Sequence, residues 1–252
     1  MCTIGALHVS KDEYFLFKNK DFSRLEYVDR IKKTDLLWGA EGLETFSADP
    51  SVEDVYSGLS VGANRYGLLA ADSHVQITGS NANNYDILVE TALSQGRDIE
   101  TALSALNKRI AAYPSWWGNL VLADASGTVA VEVRDSSLKI ERNPSWIART
   151  NHQHLHGTDD GLENNNSNSY GRFKWASEKL SQIHNVDSLK ALLGSHDTST
   201  SQGTHTGICN HTYSQTVCSY ILHFKQGTVT LHSLQGQPCL SDHYAEQQLF
   251  AS

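Results

Sequence analysis

An α+β layered domain is the fold this sequence predicts, on three observations. Strand-like runs come as hairpin pairs near the start, in the middle and near the end of the chain. Helical periodicity is confined to one middle block and one late block. Strands and helices do not alternate along the chain as a βαβ protein would require.

The first pair is Thr3–Val9 and Tyr14–Lys18, two β-prone runs separated by the polar Ser10-Lys11-Asp12-Glu13, so a hairpin begins almost at the first residue. Ala63-Asn64-Arg65-Tyr66-Gly67 reads as a turn leading into the apolar Leu68–Ala71. Helical spacing runs from Asp86 to Leu93 and resumes after Asp98, a good N-cap, where Ile99, Leu103, Leu106 and Ile110 share a face. Asn119–Asp124 and Thr128–Val133 form a second hairpin around a turn containing Gly127. Trp146–Asn151 is a further strand candidate, and the Gly-, Asn-, Asp- and Ser-rich stretch Gly157–Ser169 is expected to be a loop. A helix follows from about Tyr170 to Ile183, with Phe173, Ala176, Leu180 and Ile183 aligned. Thr216–Phe224 and Thr228–Leu234 close the series as a third hairpin around Lys225-Gln226-Gly227.

Composition narrows the function. The chain has 252 residues, of which 39% are hydrophobic and 19% charged, as expected of a soluble globular protein with a substantial core; one domain spanning 1–252 is expected. A net charge of -8 gives no basic footprint for nucleic acid or an anionic membrane surface. No apolar run reaches the roughly 20 residues of a membrane-spanning helix. Thr3–Val9 is short, lacks a basic leader and runs into Lys11, Asp12 and Glu13, which argues against a signal peptide. Four cysteines are too few for a disulfide scaffold of this size, so a reducing, cytoplasmic setting is expected.

One cysteine stands apart. Cys2 directly follows the initiator methionine, which aminopeptidase generally removes ahead of a small side chain. The exposed residue would carry a thiol and an α-amine together, and an amine with a pKa of about 7.7–8.0 can take the thiol's proton near neutrality. The returning strand Phe17-Lys18-Asn19-Lys20-Asp21 would bring Lys18 and Asp21 toward Cys2, a carboxylate to orient the ammonium and a cation to lower the thiol pKa. A plain small residue beside a solvated strand end fits those residues as well.

The opening Met-Cys-Thr with Ala6-Leu7, followed by Phe17-Lys18-Asn19-Lys20-Asp21, resembles the start of the cysteine N-terminal nucleophile (Ntn) hydrolases, the family of choloylglycine hydrolase, penicillin V acylase and the acyl-CoA:6-aminopenicillanate acyltransferases. The resemblance continues through Gly62-Ala63-Asn64-Arg65-Tyr66-Gly67-Leu68, the turn after Leu122, Arg149-Thr150-Asn151-His152, Ser169-Tyr170-Gly171-Arg172, Gly207-Ile208-Cys209-Asn210, Thr216-Val217-Cys218-Ser219 and Gly236-Gln237-Pro238-Cys239. It implies a four-layer αββα sandwich of two antiparallel sheets. It also implies Cys2 as nucleophile with its own amine as base, Asp21 binding that amine, Asn151 donating to an oxyanion, Arg172 holding the network, and the backbone N–H near His74 as a second oxyanion donor. Lys18 stands where bile-salt hydrolases and penicillin V acylases carry arginine, and a lysine keeps the charge without the two-pronged donor pattern.

The resemblance implies an amidohydrolase that cleaves a linear N-acyl amide through a thioester on Cys2, with acyl transfer to an amine as the alternative and a non-catalytic binding protein on the same fold as a second. The expected partner is a small N-acyl amide or acyl donor, with no cofactor and no metal. His152, His154 and His156 would share a face if extended, yet without a carboxylate motif they read as surface or turn histidines. Tyr113, Trp116 and Trp117 suit an acyl pocket, a core or a subunit contact equally, which leaves homo-oligomerisation open. Cys209, Cys218 and Cys239 lack Cys-x-x-Cys pairing, so zinc is not expected there and they read as small buried residues.

Overall fold

The first residues pair at once, β1 (Cys2–Ser10) running antiparallel to β2 (Glu13–Phe22) with Cys2 opposite Lys20. A computed structural model describes residues 1–252 except 25, 46–48, 50, 77–81, 158–166, 197–206, 212, 213 and 252. After the first hairpin come β3 (Ile31–Lys33), β4 (Leu37–Thr45), β5 (Val55–Asn64) and β6 (Leu69–Gln76). Two helices follow, α1 (Asp86–Gln95) and α2 (Ile99–Ala112), then β7 (Ser115–Asp124), β8 (Gly127–Asp135), β9 (Ser137–Asn143) and β10 (Trp146–Arg149). The chain ends with α3 (Ser167–Leu180), α4 (Val186–Leu193), β11 (Gln215–Lys225), β12 (Thr228–Gln235) and β13 (Ala245–Ala251).

These elements build two antiparallel sheets, in the orders β10-β1-β2-β11-β12-β13 and β3-β4-β5-β6-β7-β8-β9. The period-two alternation of a strand explains how the layers stack. On β2, Tyr14 and Leu16 face the other sheet and pack with Ile4, Ala6, Val61, Leu69 and Val121. Phe15 and Phe17 face the opposite way, onto Ala176 and Leu180 of α3 and Leu189 and Leu193 of α4. The outer face of the second sheet takes α1 and α2 through Leu88, Leu93, Leu103 and Leu106. Each such Leu or Phe contributes about 1.5–3 kcal/mol by leaving water. The result is the expected αββα sandwich, with Cys2 on the inner face beside Ile4. Among the described residues no helix is long and apolar enough to cross a membrane.

One irregularity positions the site. Thr216 pairs with Asp21 and Cys218 with Lys20, so Val217 is an extra residue, a β-bulge. Val217 and Cys218 both face the inter-sheet core. The bulge therefore turns Thr216 onto the helix-side face of its strand, where Asp21 lies. The expected Gly157–Ser169 loop falls mostly outside the described residues, but its last three residues already belong to α3, which starts earlier than its apolar spacing alone suggests. A helix needs no apolar residue in its first turn, so periodicity dates the start too late.

Candidate active site

Cys2 opens β1 with its side chain facing the inter-sheet layer and only 7% of its surface exposed. The thiol borders a cavity of about 290 Å³, whose walls include Lys18, Phe22, Leu43, His74, Tyr85 and Trp116. Of the three aromatics singled out in the sequence, only Trp116 reaches this cavity. Tyr113 is exposed, and Trp117 stacks under the Arg134 guanidinium at 4.0 Å.

The main chain of Cys2 is gripped from the helix side. Cys2 N donates to Asn151 Oδ1 at 3.0 Å. Arg172, fully buried on α3, donates to Cys2 O at 2.8 Å, Thr3 Oγ1 at 2.7 Å, Asn151 Oδ1 at 2.7 Å and Asn168 Oδ1 at 2.5 Å. Cys2, Asn151 and Arg172, of which the first and last stand 170 positions apart, thus meet in one network. Asn151 is fixed in turn by Ser169 Oγ, which accepts its N–H at 2.8 Å, and the neighbouring Thr150 carbonyl accepts from Asn119 Nδ2 at 2.9 Å. Its carboxamide donates one hydrogen to His74 O at 2.6 Å and carries a second. His74, proposed from the sequence as a backbone donor, is therefore tied to Asn151 and borders the same cavity.

Asp21 lies on the face of β2 opposite Lys18 and Lys20. Its carboxylate accepts from Thr216 Oγ1 at 2.8 Å and Asn210 Nδ2 at 3.4 Å, and Arg172 Nη1 stands 3.9 Å away. Burial pushes this carboxyl above its ordinary range, while Arg172 and the terminal ammonium pull it down. The terminal amine of Met1 donates to Asp21 O at 2.8 Å, and Asp21 N returns a bond to Met1 O at 2.8 Å. Thr216 and Asn210 are partners no sequence reading assigned, although both sit in short motifs that resemble the family.

Lys18 is buried with all three of its hydrogens committed, to Ser60 O at 3.0 Å, Asp72 O at 2.8 Å and Asp72 Oδ1 at 2.9 Å. Burial works against its charge, but Asp72 and Cys2 outweigh it, so its pKa is raised and the ammonium persists beside the thiol. Asp86 borders the same cavity and is held well above the ordinary carboxyl range by burial and by Asp72. Lys20, directly opposite Cys2 and missed in the sequence, is paired with Asp29. The alternating His152, His154 and His156 do not form a strand. Their segment wraps Glu132, whose carboxylate accepts the N–H groups of His154 at 3.0 Å and Leu155 at 2.8 Å.

The histidine at the cavity carries a testable consequence. Burial and the terminal ammonium lower the His74 pKa from 6.5 to about 4. A base weakened in the folded state is protonated first in the unfolded chain, so its contribution is full above pH 6.5 and is lost as pH falls toward about 4. Asp21 and Asp86, raised carboxyls, act with the opposite sign. A His74→Gln variant isolates the histidine: its melting temperature should gain on wild type as pH falls from 6.5 to 4.5. A constant difference between the two across that range would refute the assignment.

The sequence profile of the family described as acyl-coenzyme A:6-aminopenicillanic acid acyl-transferase matches residues 9–237. No curated protein matches by sequence. Among solved structures, the fold is similar to a cysteine-to-alanine mutant of the conjugated bile acid hydrolase from Clostridium perfringens, with TM-score 0.56 and 13% identity over 99% of this chain and 92% of that one. It is also similar to penicillin V acylase from Agrobacterium tumefaciens, with TM-score 0.55 and 14% identity over 99% and 86% of the two chains. A Caenorhabditis elegans N-acylethanolamine-hydrolyzing acid amidase ortholog gives TM-score 0.54 and 12% identity over 88% and 92%. At these identities the likeness establishes the fold.

Proposed function

The chain belongs to the acyl-coenzyme A:6-aminopenicillanic acid acyl-transferase family, and from that premise we propose that it is an amidohydrolase cleaving a linear N-acyl amide through a thioester on Cys2. Family membership supports an enzyme of the hydrolase and acyltransferase kind; the identity of the nucleophile and the reaction are our reading. The observation that carries it is the grip on Cys2, its nitrogen 3.0 Å from Asn151 Oδ1 and its carbonyl 2.8 Å from Arg172, with the thiol on the cavity wall.

In this reading Met1 is removed, and the freed α-amine sits on the Asn151 acceptor. The amine takes the proton from Sγ, and the thiolate attacks the substrate carbonyl carbon, forming a C–S bond as the carbonyl π electrons move to oxygen. Asn151 Nδ2 and the His74 backbone N–H stabilise that oxyanion. Collapse breaks the C–N bond, and the leaving amine takes the proton back from the α-ammonium. Water, deprotonated by the α-amine, then attacks the thioester, releasing a carboxylic acid and restoring the thiol. The Lys18 ammonium, spent on Ser60 and Asp72, places a positive charge beside the thiol and offers no hydrogen to substrate. Phe22, Leu43, Tyr85 and Trp116 give the cavity an apolar wall suited to an apolar acyl group.

The family's own name favours a second reading, in which an amine replaces water at the thioester. Incubation with a panel of N-acyl amides, with and without an added amine, followed by intact-mass analysis tests both. The expected product is an acyl adduct on a chain lacking Met1, mapping to the peptide that begins at Cys2. Retention of Met1 in active protein, or an adduct on another residue, would overturn the proposal. Asn151→Ala should lower kcat by about 10²–10³ through loss of an oxyanion donor. A KM change with kcat intact would show that Asn151 serves ground-state binding alone.

A further inference from the structure

On the far side of Asp21 from the thiol, four metal-ligating side chains from three chain segments converge. His196 follows α4, Cys209 and His211 precede β11, and Cys239 follows β12. His211 Nε2 lies 3.0 Å from His196 Nε2, 3.2 Å from Cys239 Sγ and 3.6 Å from Cys209 Sγ, and all four ligand atoms fall within 4.8 Å of one another. We propose that His196, Cys209, His211 and Cys239 form a structural zinc site.

Hydrogen bonding does not account for this packing. An imidazole Nε2 carries either one hydrogen or one lone pair, so it can satisfy one of those three contacts in a given tautomer. A cation at the centre satisfies all four donors together. Zinc bonds of about 2.0–2.1 Å to nitrogen and 2.3 Å to sulfur place tetrahedral ligand atoms roughly 3.3–3.8 Å apart, close to the spacings seen around His211. Two thiolates and two neutral imidazoles also cancel the dication's charge, as partial burial requires. Thiolate ligands select against magnesium and calcium, and a tetrahedral S₂N₂ set suits zinc.

The cage is held independently of any metal. Cys209 N donates to Ser195 O at 3.2 Å, Thr216 N donates to Asn210 O at 2.9 Å, and a Cβ on Gly194 would stand 2.7 Å from Pro238 O, so the chain after α4 runs hard against the segment carrying Cys239. A surface recess of about 490 Å³ reaches Cys239 and gives an ion its route in. With four protein ligands the site is closed and has no position for substrate. Its consequence is positional: Asn210, between ligands Cys209 and His211, donates to the Asp21 carboxylate. The four ligands come from three separated segments, so no Cys-x-x-Cys pair marks them in the sequence and the expectation of no zinc there is revised.

The test uses the full-length reduced protein, dialysed after incubation with Zn²⁺ and analysed for metal, and in parallel reconstituted with Co²⁺. About one zinc per chain is expected, and Co²⁺ should give the visible d–d bands of a tetrahedral site with thiolate charge transfer. Cys239→Ser and His196→Ala should each lower retained zinc well below one per chain, while Cys218→Ser, a buried cysteine outside the cluster, should leave it unchanged. Chelation should lower the melting temperature of wild type and not of Cys239→Ser. The Cys2→Ala chain should bind zinc as wild type does, so this outcome is independent of the acyl chemistry. No retained zinc, an absent or octahedral cobalt spectrum, or a Cys209–Cys239 disulfide whose reduction creates no cobalt site would overturn the proposal.

Discussion

Cys2→Ala is expected to abolish turnover and acyl-adduct formation while leaving the fold intact. The side chain is small and buried, and its loss removes one sulfur from the edge of a cavity rather than from a packed core. The stability cost should be about 1 kcal/mol. Alanine is also small enough for Met1 to be removed, so the α-amine, Asn151 and Arg172 all keep their places and only the nucleophile is missing. Deleting a single nucleophile in a comparable covalent mechanism costs on the order of 10⁶-fold in kcat, and a loss of that order is expected here. Steady-state rates with intact-mass analysis on the same samples provide the measurement. A residue retained ahead of Cys2 should be as damaging as alanine, because an amide nitrogen is not a base. Residual adduct in Cys2→Ala, or full activity in the extended chain, would remove Cys2 from the mechanism.

What the sequence makes legible is what local pattern encodes. The hairpins β1–β2, β7–β8 and β11–β12 carry β-prone runs around marked turns. The start of α2 is signalled by Asp98, whose side chain accepts from Thr101 N in a capping box. Strands β4 and β5 escape the same reading because they contain Gly39, Gly42, Gly58 and Gly62, and glycine weakens a strand signal. Tertiary packing explains two of these. A Cβ on Gly42 would fall 2.1 Å from Asp86 Cγ, and Gly58, at φ +67°, lies against the Asp86 backbone, so both let the start of α1 seat on the sheet beside the cavity. The edge strand β13 is exposed along most of its length and carries no apolar alternation, and α4 has only eight residues in which to show a period.

The site divides in the same way. Cys2, Asn151 and Arg172 were found by residue type and motif, and the structure brings all three together. The detailed roles of Asp21 and Lys18 depend on strand faces. Lys18 shares the face of Cys2, whereas Asp21 points toward α3 and finds Thr216 only because a bulge at Val217 reverses the local alternation. A bulge shifts register by a single residue and leaves no compositional trace, so the Asp21–Thr216 contact has no signature in the sequence. Asp72 and Asp86 were missed for a different reason. They enter the cavity from the opposing sheet and from the first turn of α1, and nothing local relates either to Cys2.

Arg172 donates four hydrogen bonds in this network, to Cys2 O, Thr3 Oγ1, Asn151 Oδ1 and Asn168 Oδ1. Both Arg172 and Asp21 are fully buried. Arg172→Met would leave the Asp21 carboxyl without its main cation and strip donors from Cys2 O, Thr3 Oγ1 and Asn151 Oδ1. Breaking one side of a buried ion pair typically costs about 3–5 kcal/mol. At roughly 2–4 °C per kcal/mol for a chain of this size, the melting temperature should fall by about 6–20 °C. Because Cys2 and Asn151 are both released, kcat should drop on the order of 10²-fold in the fraction that remains folded. Arg172→Lys separates the two effects. An ammonium restores charge opposite Asp21, so more than half of the lost melting temperature should return. One nitrogen cannot span Cys2 O, Thr3, Asn151 and Asn168 as the guanidinium fork does, so kcat should stay low. Recovery of both quantities together in the lysine variant would reduce Arg172 to a charge that stabilises the fold. Recovery of stability alone would make it the residue that sets the nucleophile's nitrogen and the oxyanion donor in register.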